Sequence, residues 1–456
     1  MHLRYYCALW ASKLTGRLMR LMGRNATYLP GRVALRLCPD FMSRVEKASR
    51  VICVSGTDGK TTTTNLTADL AENCGLGPVG GNRFGSNTEG GVATALANSV
   101  NWLGRCRIKT LVLEVDEHYT PIILPQVKAD HLVVTGLFRD SLQRNAHPEY
   151  VAGKMNRVKL PDMKLVLNAD ELRSSRLLPD NDRIYYGVDP LPGDVDYPET
   201  LINDMPYCPE CGQKLGYDYV HYAHVGKVRC PHCGFTSHER DFTVTAVDKE
   251  AGVMRISHGG EEKEYPLYND AMYNIYNEAA VVALFTQLGV SEDKLREGLG
   301  KIKPPESRFS AWTAGGVEVV KVLAKSNNSL PVSLLFDLVR KSPGQKAVIL
   351  AVDDLQEEHS SERIAWIYDA DYEFLVRDDI VQILVVGTRC HDQVVRLLLA
   401  GFPEEKIFCL EDEMEALDSL VTEGVDKVFL LQDNTSYALG TQAEKKIKEI
   451  LEARAS

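Results

Sequence analysis

The sequence predicts an α/β protein with a central α/β domain, a small cysteine-rich insert in that domain, and a C-terminal Rossmann-like α/β domain. Short apolar runs alternate with stretches that favour helix, which is typical of parallel sheets covered by helices. A glycine-rich turn joins the first of these runs to a helical stretch. Two closely spaced cysteine pairs interrupt the alternation between residues 201 and 240. We expect an N-terminal helical segment at 1–48, the central domain at 49–305 and the C-terminal domain at 306–456.

Composition and charge exclude several classes of protein. A hydrophobic fraction of 44% and a charged fraction of 25% are ordinary for a globular chain, and 456 residues can form several cores. The net charge of −11 argues against bulk nucleic-acid binding. No apolar run approaches the roughly 20 residues that a membrane-spanning helix needs. We therefore expect no nucleic-acid partner and a cytoplasmic location.

Residues 1–25 predict a basic amphipathic helix. The segment contains no acidic residue and five basic ones, namely Arg4, Lys13, Arg17, Arg20 and Arg24. Its apolar residues recur at helical spacing and include Leu9, Trp10, Leu14, Leu18, Leu21 and Met22. Such a helix either packs on its own domain or lies on an anionic membrane surface. We favour the packed helix.

The stretch from Ser55 to Thr62 predicts a phosphate-binding loop. It follows an apolar strand at Val51–Val54 and precedes a helical stretch. Glycines let backbone N–H groups approach phosphate oxygens, and the helix N-terminus adds positive potential. Lys60 is expected on the β- and γ-phosphates, and the hydroxyl of Thr61 or Thr62 on Mg²⁺. The candidate nucleotide-binding residues of this loop are Gly56, Thr57, Asp58, Gly59, Lys60, Thr61 and Thr62.

Two further segments are expected beside this loop. Residues 80–87 are too rich in glycine and asparagine for the interior of a helix or strand, so we expect a loop there. A buried strand is predicted from Thr110, and it ends in the acids Glu114, Asp116 and Glu117. Acids at the carboxyl end of a parallel strand suit Mg²⁺ coordination. The alternative is that these acids only solvate the end of the strand.

The insert predicts a structural zinc site. Cys208 and Cys211 form one Cys-x-x-Cys pair, and Cys230 and Cys233 form the other. Each pair places two thiolates on one tight turn, and four thiolates complete the tetrahedral coordination of Zn²⁺. A redox-active cysteine pair is the alternative. The other seven of the eleven cysteines are scattered, and without a secretory signal we expect a reducing compartment.

The loop sequence Gly-Thr-Asp-Gly-Lys-Thr-Thr resembles the ATP loop of the Mur ligase family. The order Tyr150-x-x-Ala-x-Lys154, strand, Asn168-Ala-Asp170 is also similar to that family, as is the asparagine-containing stretch that starts at Met272. The resemblance implies that Glu114 holds Mg²⁺ and that Lys154 is a carbamylated catalytic lysine. A plain surface lysine is the alternative for Lys154. The resemblance also places five residues near the nucleotide: Asn168, Asp170, Asn274, Asn277 and Arg308.

Within that family the chain resembles the MurT proteins, which are synthetase subunits of lipid II isoglutaminyl synthase. Four features are similar to MurT: the cysteine-rich insert, Glu-Val-Asp-Glu at 114–117, Phe-Arg-Asp at 138–140 and the stretch 366–373. MurT proteins carry an aspartate that is thought to complete the catalytic residues of their glutaminase partner, GatD. This chain has Arg363 at that position, so the adjacent Glu362 is our candidate for the role. A solvated loop acid is the alternative for Glu362.

The resemblance implies an ATP-dependent carbon–nitrogen ligase of peptidoglycan synthesis that uses ATP, Mg²⁺ and Zn²⁺. The D-glutamate α-carboxylate of lipid II would be amidated to D-isoglutamine through an acyl phosphate. Ammonia would come from a GatD-like glutamine amidotransferase in a heterodimer, acting at the inner membrane face. Two alternatives stay open: a Mur-like ligase that adds an amino acid or peptide without a glutaminase, and a non-catalytic ATP-binding scaffold.

Overall fold

The computed structural model describes residues 2–83, 85–140, 145–303, 309–324, 328–352, 364–433 and 437–454. The chain forms two compact units. The N-terminal unit comprises Met1–Phe138, His147–Pro198 and Asp204–Pro304. The C-terminal unit comprises Arg139–Ala146, Glu199–Asn203 and Pro305–Ser456. Among the described residues, no helix has the length and apolar character needed to cross a membrane.

Nine helices are described in the N-terminal unit. They are α1 (His2–Leu21), α2 (Leu29–Leu37), α3 (Phe41–Arg44), α4 (Lys60–Asn73), α5 (Glu89–Ser99), α6 (Thr120–Val127), α7 (Pro148–Met155), α8 (Met272–Gln287) and α9 (Glu292–Gly300). Short 3-10 turns cover Glu117–Tyr119 and Ser174–Arg176. The predicted helix at the N-terminus therefore exists and packs within this unit, since Tyr5, Ala8 and Leu9 of α1 belong to its hydrophobic core.

A nine-stranded sheet forms the centre of this unit. Its strands are β1 (Arg50–Ser55), β2 (Val79–Gly81), β3 (Thr110–Glu114), β4 (His131–Val134), β5 (Lys164–Asn168), β6 (Arg183–Val188), β9 (Phe242–Asp248), β10 (Val253–His258) and β11 (Glu261–Pro266). The order is β11-β10-β9-β6-β5-β4-β1-β3-β2. β9, β10 and β11 pair antiparallel with one another, and the other pairs are parallel.

The strand order brings the predicted loops to one place. β1 pairs with β3 on one side and with β4 on the other, so the chain crosses the sheet in opposite directions from β1. Ligands of open α/β sheets bind at such a switch point, outside the carboxyl ends of the strands. The expectation of a loop throughout 80–87 is partly wrong, because Val79–Gly81 pairs with β3 as an edge strand. Gly81 lies directly against the carbonyl of Val112, where a β-carbon would clash.

The cysteine-rich insert forms a separate two-stranded antiparallel hairpin. Its strands are β7 (Gly216–Tyr222) and β8 (Val225–Arg229), joined by the two residues Ala223 and His224. The insert has a small core of its own, which includes Tyr217, Val220 and Val228 beside two of the cysteines. Burial along β7 does not alternate strictly, since Tyr219, Val220 and His221 are all buried.

A six-stranded sheet forms the centre of the C-terminal unit. Its strands are β12 (Phe309–Ala314), β13 (Val317–Ala324), β14 (Lys346–Ala351), β15 (Ile380–Val386), β16 (Ile407–Leu410) and β17 (Lys427–Asp433), in the order β12-β13-β17-β14-β15-β16. Only the edge pair β12–β13 is antiparallel among these described strands. The predicted Rossmann-like arrangement of parallel strands and helices is therefore observed.

The described helices of this unit are α10 (Ser329–Lys341), α11 (Ala365–Asp369), α12 (Cys390–Ala400), α13 (Glu413–Ala416) and α14 (Tyr437–Arg454). Short 3-10 turns cover Tyr372–Leu375, Glu404–Lys406 and Leu417–Ser419. Helix α13 spans only four residues and is followed directly by the 3-10 turn Leu417–Ser419. The side-chain amide of Gln382 bonds the carbonyl of Ser419 at 2.9 Å and the N–H of Val421 at 2.8 Å, which removes both groups from a helical ladder.

Candidate active site

The predicted phosphate loop lies between β1 and α4 at the switch point of the sheet. Gly56 (φ +127°) and Gly59 (φ +80°) adopt backbone conformations that other residues rarely take. The neighbouring strand end holds the loop in place, because the N–H of Thr57 bonds the carbonyl of Gly136 at 2.8 Å. The hydroxyl of Thr135 also donates to the carbonyl of Asp58 at 2.5 Å. The loop therefore has a defined shape before any ligand binds.

Lys60 begins α4 and folds back over the loop. Its ammonium donates to the carbonyls of Gly56 and Thr57 and pairs with the Glu117 carboxylate at 3.0 Å. The Lys60 and Glu117 side chains are only 10% and 11% exposed. Burial raises the pKa of Glu117, and the nearby Lys60 ammonium opposes that rise. The lysine thus lies over the loop predicted to bind the phosphates, and Glu117, predicted only as an acid at the end of a strand, is its buried counter-charge.

Glu114 ends β3 on the other side of the loop. The Asn82 side chain bonds both main-chain groups of Glu114 at 2.8 Å, and Asn87 donates to Glu114 Oε1 at 3.0 Å. Glu114 Oε2 is buried and has no hydrogen-bond partner among the described residues. A buried carboxylate oxygen without a donor is the kind of ligand that Mg²⁺ takes. The donor set therefore fits a divalent cation, with the nearby hydroxyls of Thr61 and Thr62 half-buried in the first turn of α4.

The asparagines expected near the nucleotide are arranged around the same loop. Asn277 lies on α8 against Gly59, where a β-carbon on the glycine would collide with its side chain. Asn277 donates to Asn274 at 3.3 Å, and Asn274 donates to Asn269 at 2.9 Å. Asn168 is buried at the end of β5 and donates to the carbonyl of Thr135 at 3.3 Å. Their contact with a nucleotide stays a prediction.

The remaining predicted catalytic residues are not joined to this group. Lys154 is half-buried in the last turn of α7, and its side chain has no hydrogen-bond or ion-pair partner in the described part of the chain. Its helix packs against the 3-10 turn that contains Glu117. Arg308 and Glu362 lie outside the described residues. The roles predicted for these three residues stay predictions.

The four cysteines of the insert converge as predicted. Their sulfurs lie within 4.8 Å of one another, with Cys208–Cys233 at 3.7 Å and Cys211–Cys230 at 3.5 Å. The backbone N–H of Cys233, and then that of His232, lower the pKa of the Cys230 thiol to about 6. Four converging sulfurs fit tetrahedral Zn²⁺. In the C-terminal unit, Cys390, His391 and Cys409 also offer three ligand atoms within 4.8 Å.

The cysteine-rich hairpin contacts the phosphate-loop region through His224, which lies in the turn between β7 and β8. The ring of His224 lies 5.4 Å from that of Phe138, whose N–H donates to Thr57 Oγ1 at 3.0 Å. His224 Nε2 also lies 3.6 Å from the buried carboxylate of Glu171. Burial would raise the pKa of Glu171, but His224 and Arg173 lower it to about 2. No spacing rule in the sequence pointed to His224 or Glu171.

Asp170 anchors the hairpin to the sheet. It was expected near the nucleotide, but its carboxylate bonds Arg240 Nε at 2.9 Å, Tyr276 Oη at 2.7 Å and the N–H of Val188 at 2.8 Å. Its carbonyl accepts from the N–H of Gly226 in β8 at 2.9 Å. These bonds give the Asp170 carboxylate a structural role, and its proximity to a nucleotide stays a prediction.

Comparison with known proteins agrees with this geometry. Residues 326–437 match the family described as MurT ligase C-terminal. The chain is 28% identical over 401 residues to lipid II isoglutaminyl synthase subunit MurT of Staphylococcus aureus strain COL, covering 87% of this chain and 88% of the relative. It is 26% identical over 442 residues to the Streptococcus pneumoniae protein of the same name, covering 96% of each.

Solved structures share the fold across most of the chain. A pseudomurein peptide ligase type C from Methanothermus fervidus aligns with a TM-score of 0.69 and 19% identity, covering 90% of this chain and 81% of the other. The MurF ligase of Thermotoga maritima in complex with ADP aligns with a TM-score of 0.58 and 16% identity, covering 92% and 85%. Over most of its length the chain is therefore a homologue of two proteins named as MurT subunits, and it shares the fold of the Mur ligases.

Proposed function

We propose that this chain amidates the D-glutamate α-carboxylate of the lipid II stem peptide, with ammonia delivered by a GatD-like glutaminase subunit. The observation that carries the proposal is the phosphate loop, over which Lys60 is buried, beside a Glu114 Oε2 that no described residue bonds. The whole-length likeness to two proteins named as MurT subunits supports the choice of substrate. The word "subunit" in both names supports a partner chain.

In this proposal, each group at the loop has a separate task. Bound ATP with Mg²⁺ supplies the phosphoryl group that converts the carboxylate into an acyl phosphate, which ammonia then attacks. Backbone N–H groups of residues 56–60 and the Lys60 ammonium stabilise negative charge as the phosphoryl group is transferred. Glu114 and the Thr61 hydroxyl would hold the cation. Asn82 and Asn87 orient the Glu114 carboxylate and so maintain the cation site.

Glu117 has a positioning role in this scheme. Its carboxylate holds the Lys60 ammonium beside the loop while no phosphate is present. Incoming phosphates compete with Glu117 for that ammonium, so the lysine exchanges one anionic partner for another. A buried carboxylate whose pKa is raised tolerates this exchange, because it can take up a proton when the ammonium moves away.

The proposed substrate is anchored in a membrane, so the enzyme would work as a peripheral protein at the inner membrane face. Zn²⁺ on the four cysteines is proposed to be structural, since four sulfurs leave no open coordination position. The cysteine-rich hairpin would support the active site through the contact between His224 and Phe138.

The direct test incubates the purified chain with MgATP, ammonium and lipid II, and follows both phosphate release and product mass. Ammonium replaces the glutaminase partner, so the synthetase reaction is tested alone. Amidated lipid II that requires both ATP and ammonium is the expected result. Lys60→Met is the inactive control, and Lys159→Met, an exposed lysine outside the loop, is the matched control that keeps activity.

Three outcomes would reject the proposal. ATP turnover that requires an added amino acid or peptide would assign the chain to the Mur-like peptide ligases. Absence of phosphate release from zinc-loaded protein would leave only a nucleotide-binding scaffold. The third outcome is a chain that amidates lipid II with ammonium, while the complex co-purified with its native partner shows no glutamine-dependent activity. That result would remove the glutaminase from the scheme.

A further inference from the structure

The N-terminal helix α1 has two apolar faces, and only one of them is packed. The packed face consists largely of small residues, with Ala8, Ser12 and Gly16 buried beside Tyr5 and Leu9. The outward face carries the bulkier apolar side chains. It consists of Leu3, Trp10, Leu14, Leu18 and Leu21, all exposed. We call this second group the outer face of α1.

Residues of the outer face follow one another at steps of three, four or seven, which places them along one side of a helix. The exposed fractions are 58% for Leu14, 60% for Leu18 and 85% for Leu21. A helix that only covers its own domain buries its large apolar residues and turns small or polar ones outward. On α1 most of the large apolar side chains are exposed and small side chains are buried, so the helix presents a continuous apolar stripe that the N-terminal unit does not cover.

The segment that forms α1 and α2 carries basic side chains and no acidic ones. The first 39 residues contain seven basic and no acidic side chains, although the whole chain has a net charge of −11. Arg17, Arg20 and Arg24 are exposed near the C-terminal half of α1, and Arg32 and Arg36 are exposed on α2. The segment that carries this apolar surface is therefore basic in a chain that is acidic overall.

A neighbouring loop extends the surface and holds α1 in place. Trp10 Nε1 donates to the carbonyl of Trp102 at 2.9 Å, and the Arg17 guanidinium lies 4.6 Å from the centre of a Trp102 ring. Lys13 Nζ donates to the carbonyl of Val100 at 2.8 Å. Leu103, which follows Trp102 in this loop, is 71% exposed. The outer face is thus a rigid surface of helix and loop rather than a separate tail.

We propose that the outer face of α1, together with Leu103, docks the protein on an anionic phospholipid surface. Leucine and tryptophan side chains would enter the boundary between headgroups and acyl chains, while the arginines contact lipid phosphates. Charge decides against a second copy of this chain, because a symmetric dimer through this face would bring like charges together. The inference extends the proposed function without resting on it, since lipid binding needs neither ATP nor substrate.

The test is co-sedimentation of the full-length, zinc-loaded chain with vesicles. Vesicles of phosphatidylglycerol and phosphatidylcholine are expected to bind the protein at low salt, and pure phosphatidylcholine vesicles to bind it at least tenfold more weakly. Raising the salt concentration should weaken binding to the anionic vesicles, because salt screens the arginine–phosphate attraction. Leu14→Glu/Leu18→Glu should abolish sedimentation, and Arg20→Glu/Arg24→Glu should reduce it several-fold on anionic vesicles only.

Leu399→Glu is the matched control, since Leu399 is 69% exposed on α12 in the C-terminal unit and should leave vesicle binding unchanged. Melting curves and ATP turnover of each variant in detergent-free buffer separate lipid binding from folding and from the proposed ligase reaction. Failure of the wild type to bind anionic vesicles at low salt would overturn the proposal. Equal binding of Leu14→Glu/Leu18→Glu, or a concentration-dependent dimer that this variant abolishes without any vesicle binding, would overturn it as well.

Discussion

The phosphate loop (residues 55–62) and the cysteine-rich hairpin (β7 and β8 with its four cysteines) are both fixed in shape, but by different interactions. The loop uses two glycines with positive φ, backbone bonds to the end of β4 and one buried ion pair. The hairpin relies on four converging sulfurs and on bonds to the sheet, among them those of the buried Asp170 and of the Tyr219 hydroxyl. Contacts within the protein therefore fix the loop, whereas we expect the hairpin to depend on a metal ion held by its four sulfurs.

The two regions meet behind the site, where His224 of the hairpin contacts Phe138 and Phe138 bonds Thr57 of the loop. This contact makes the comparison testable. A change in the loop should affect chemistry with little effect on the metal, while a change in the hairpin should first affect folding and reach the chemistry only through its tip.

Replacing Lys60 should have the largest effect. Lys60→Met should lower ATP turnover by about 1,000-fold or more, because it removes the cation beside the transferred phosphoryl group. It should also cost roughly 3 kcal/mol of unfolding free energy, because Glu117 would lose the partner of its buried charge. Steady-state phosphate release and chemical denaturation measure the two effects.

The double variant Lys60→Met/Glu117→Gln separates these contributions. It should recover most of the lost stability and none of the lost turnover, with the zinc content unchanged. Recovery of turnover in the double variant would contradict the role assigned to Lys60.

Cys208→Ser should have the next largest effect, and on the hairpin rather than the loop. Losing one of four sulfurs should release Zn²⁺ and destabilise the N-terminal unit by several kcal/mol, since metal affinity in such sites is folding free energy. Zinc content by atomic spectroscopy and thermal melting measure this result. Cys7→Ser, an exposed cysteine on α1, is the control that should change neither quantity. A stable, zinc-free Cys208→Ser protein would refute the structural role of the ribbon.

Arg240→Met should break the anchor without removing the metal. Arg240 neutralises Asp170, whose side chain is fully buried, and an uncompensated buried carboxylate costs about 3 kcal/mol. Zinc content should stay the same and the melting temperature should fall. Arg229→Met is the matched control on the same hairpin, because its pair with Asp218 is exposed and should contribute less than about 1 kcal/mol. Equal losses in both variants would mean that Asp170 does not anchor the hairpin.

Features encoded by neighbouring residues were predictable from the sequence. Strand β1, the glycine loop and the start of α4 follow one another in the chain, and each cysteine pair forms a single tight turn. The parallel order of the C-terminal sheet followed from alternating apolar runs and helices. The predicted packing of α1 on its own unit was also observed, through a face of small residues that the hydrophobic pattern did not identify.

Features that depend on distant contacts were not predictable. Glu117 follows β3 and lies 57 residues after Lys60 in the sequence, and only the fold brings the two side chains into contact. Asp170 looked like a nucleotide-facing acid because nothing in the chain indicates that Arg240, 70 residues later, will neutralise it. His224 is a hairpin-turn residue whose contact with Phe138 arises from the docking of the insert. In each case a charged or aromatic group finds its partner through tertiary structure alone.

The smallest predicted effect concerns Glu278, a buried acid on α8, the helix that also carries Asn277 beside Gly59. Burial raises the pKa of Glu278 to about 8, although the N–H of Tyr268 donates to its carboxyl at 2.8 Å. The folded state therefore keeps a proton that the unfolded chain releases near its ordinary pKa. Unfolding free energy should then fall as pH rises from about 4.5 to about 8, because the unfolded state binds fewer protons in that range.

Glu278→Gln keeps the shape and the bond from Tyr268 but cannot ionise. At pH 8.5 it should be about 2 kcal/mol more stable than the wild type, and near pH 4.5 the two should be equal, since one unit of pKa shift corresponds to about 1.4 kcal/mol and solvent relaxation reduces the full value. Denaturation curves across this pH range give the difference directly. A difference in unfolding free energy between the two proteins that does not change with pH would show that Glu278 has an ordinary pKa. The environment of this carboxyl on α8 would then be hydrated.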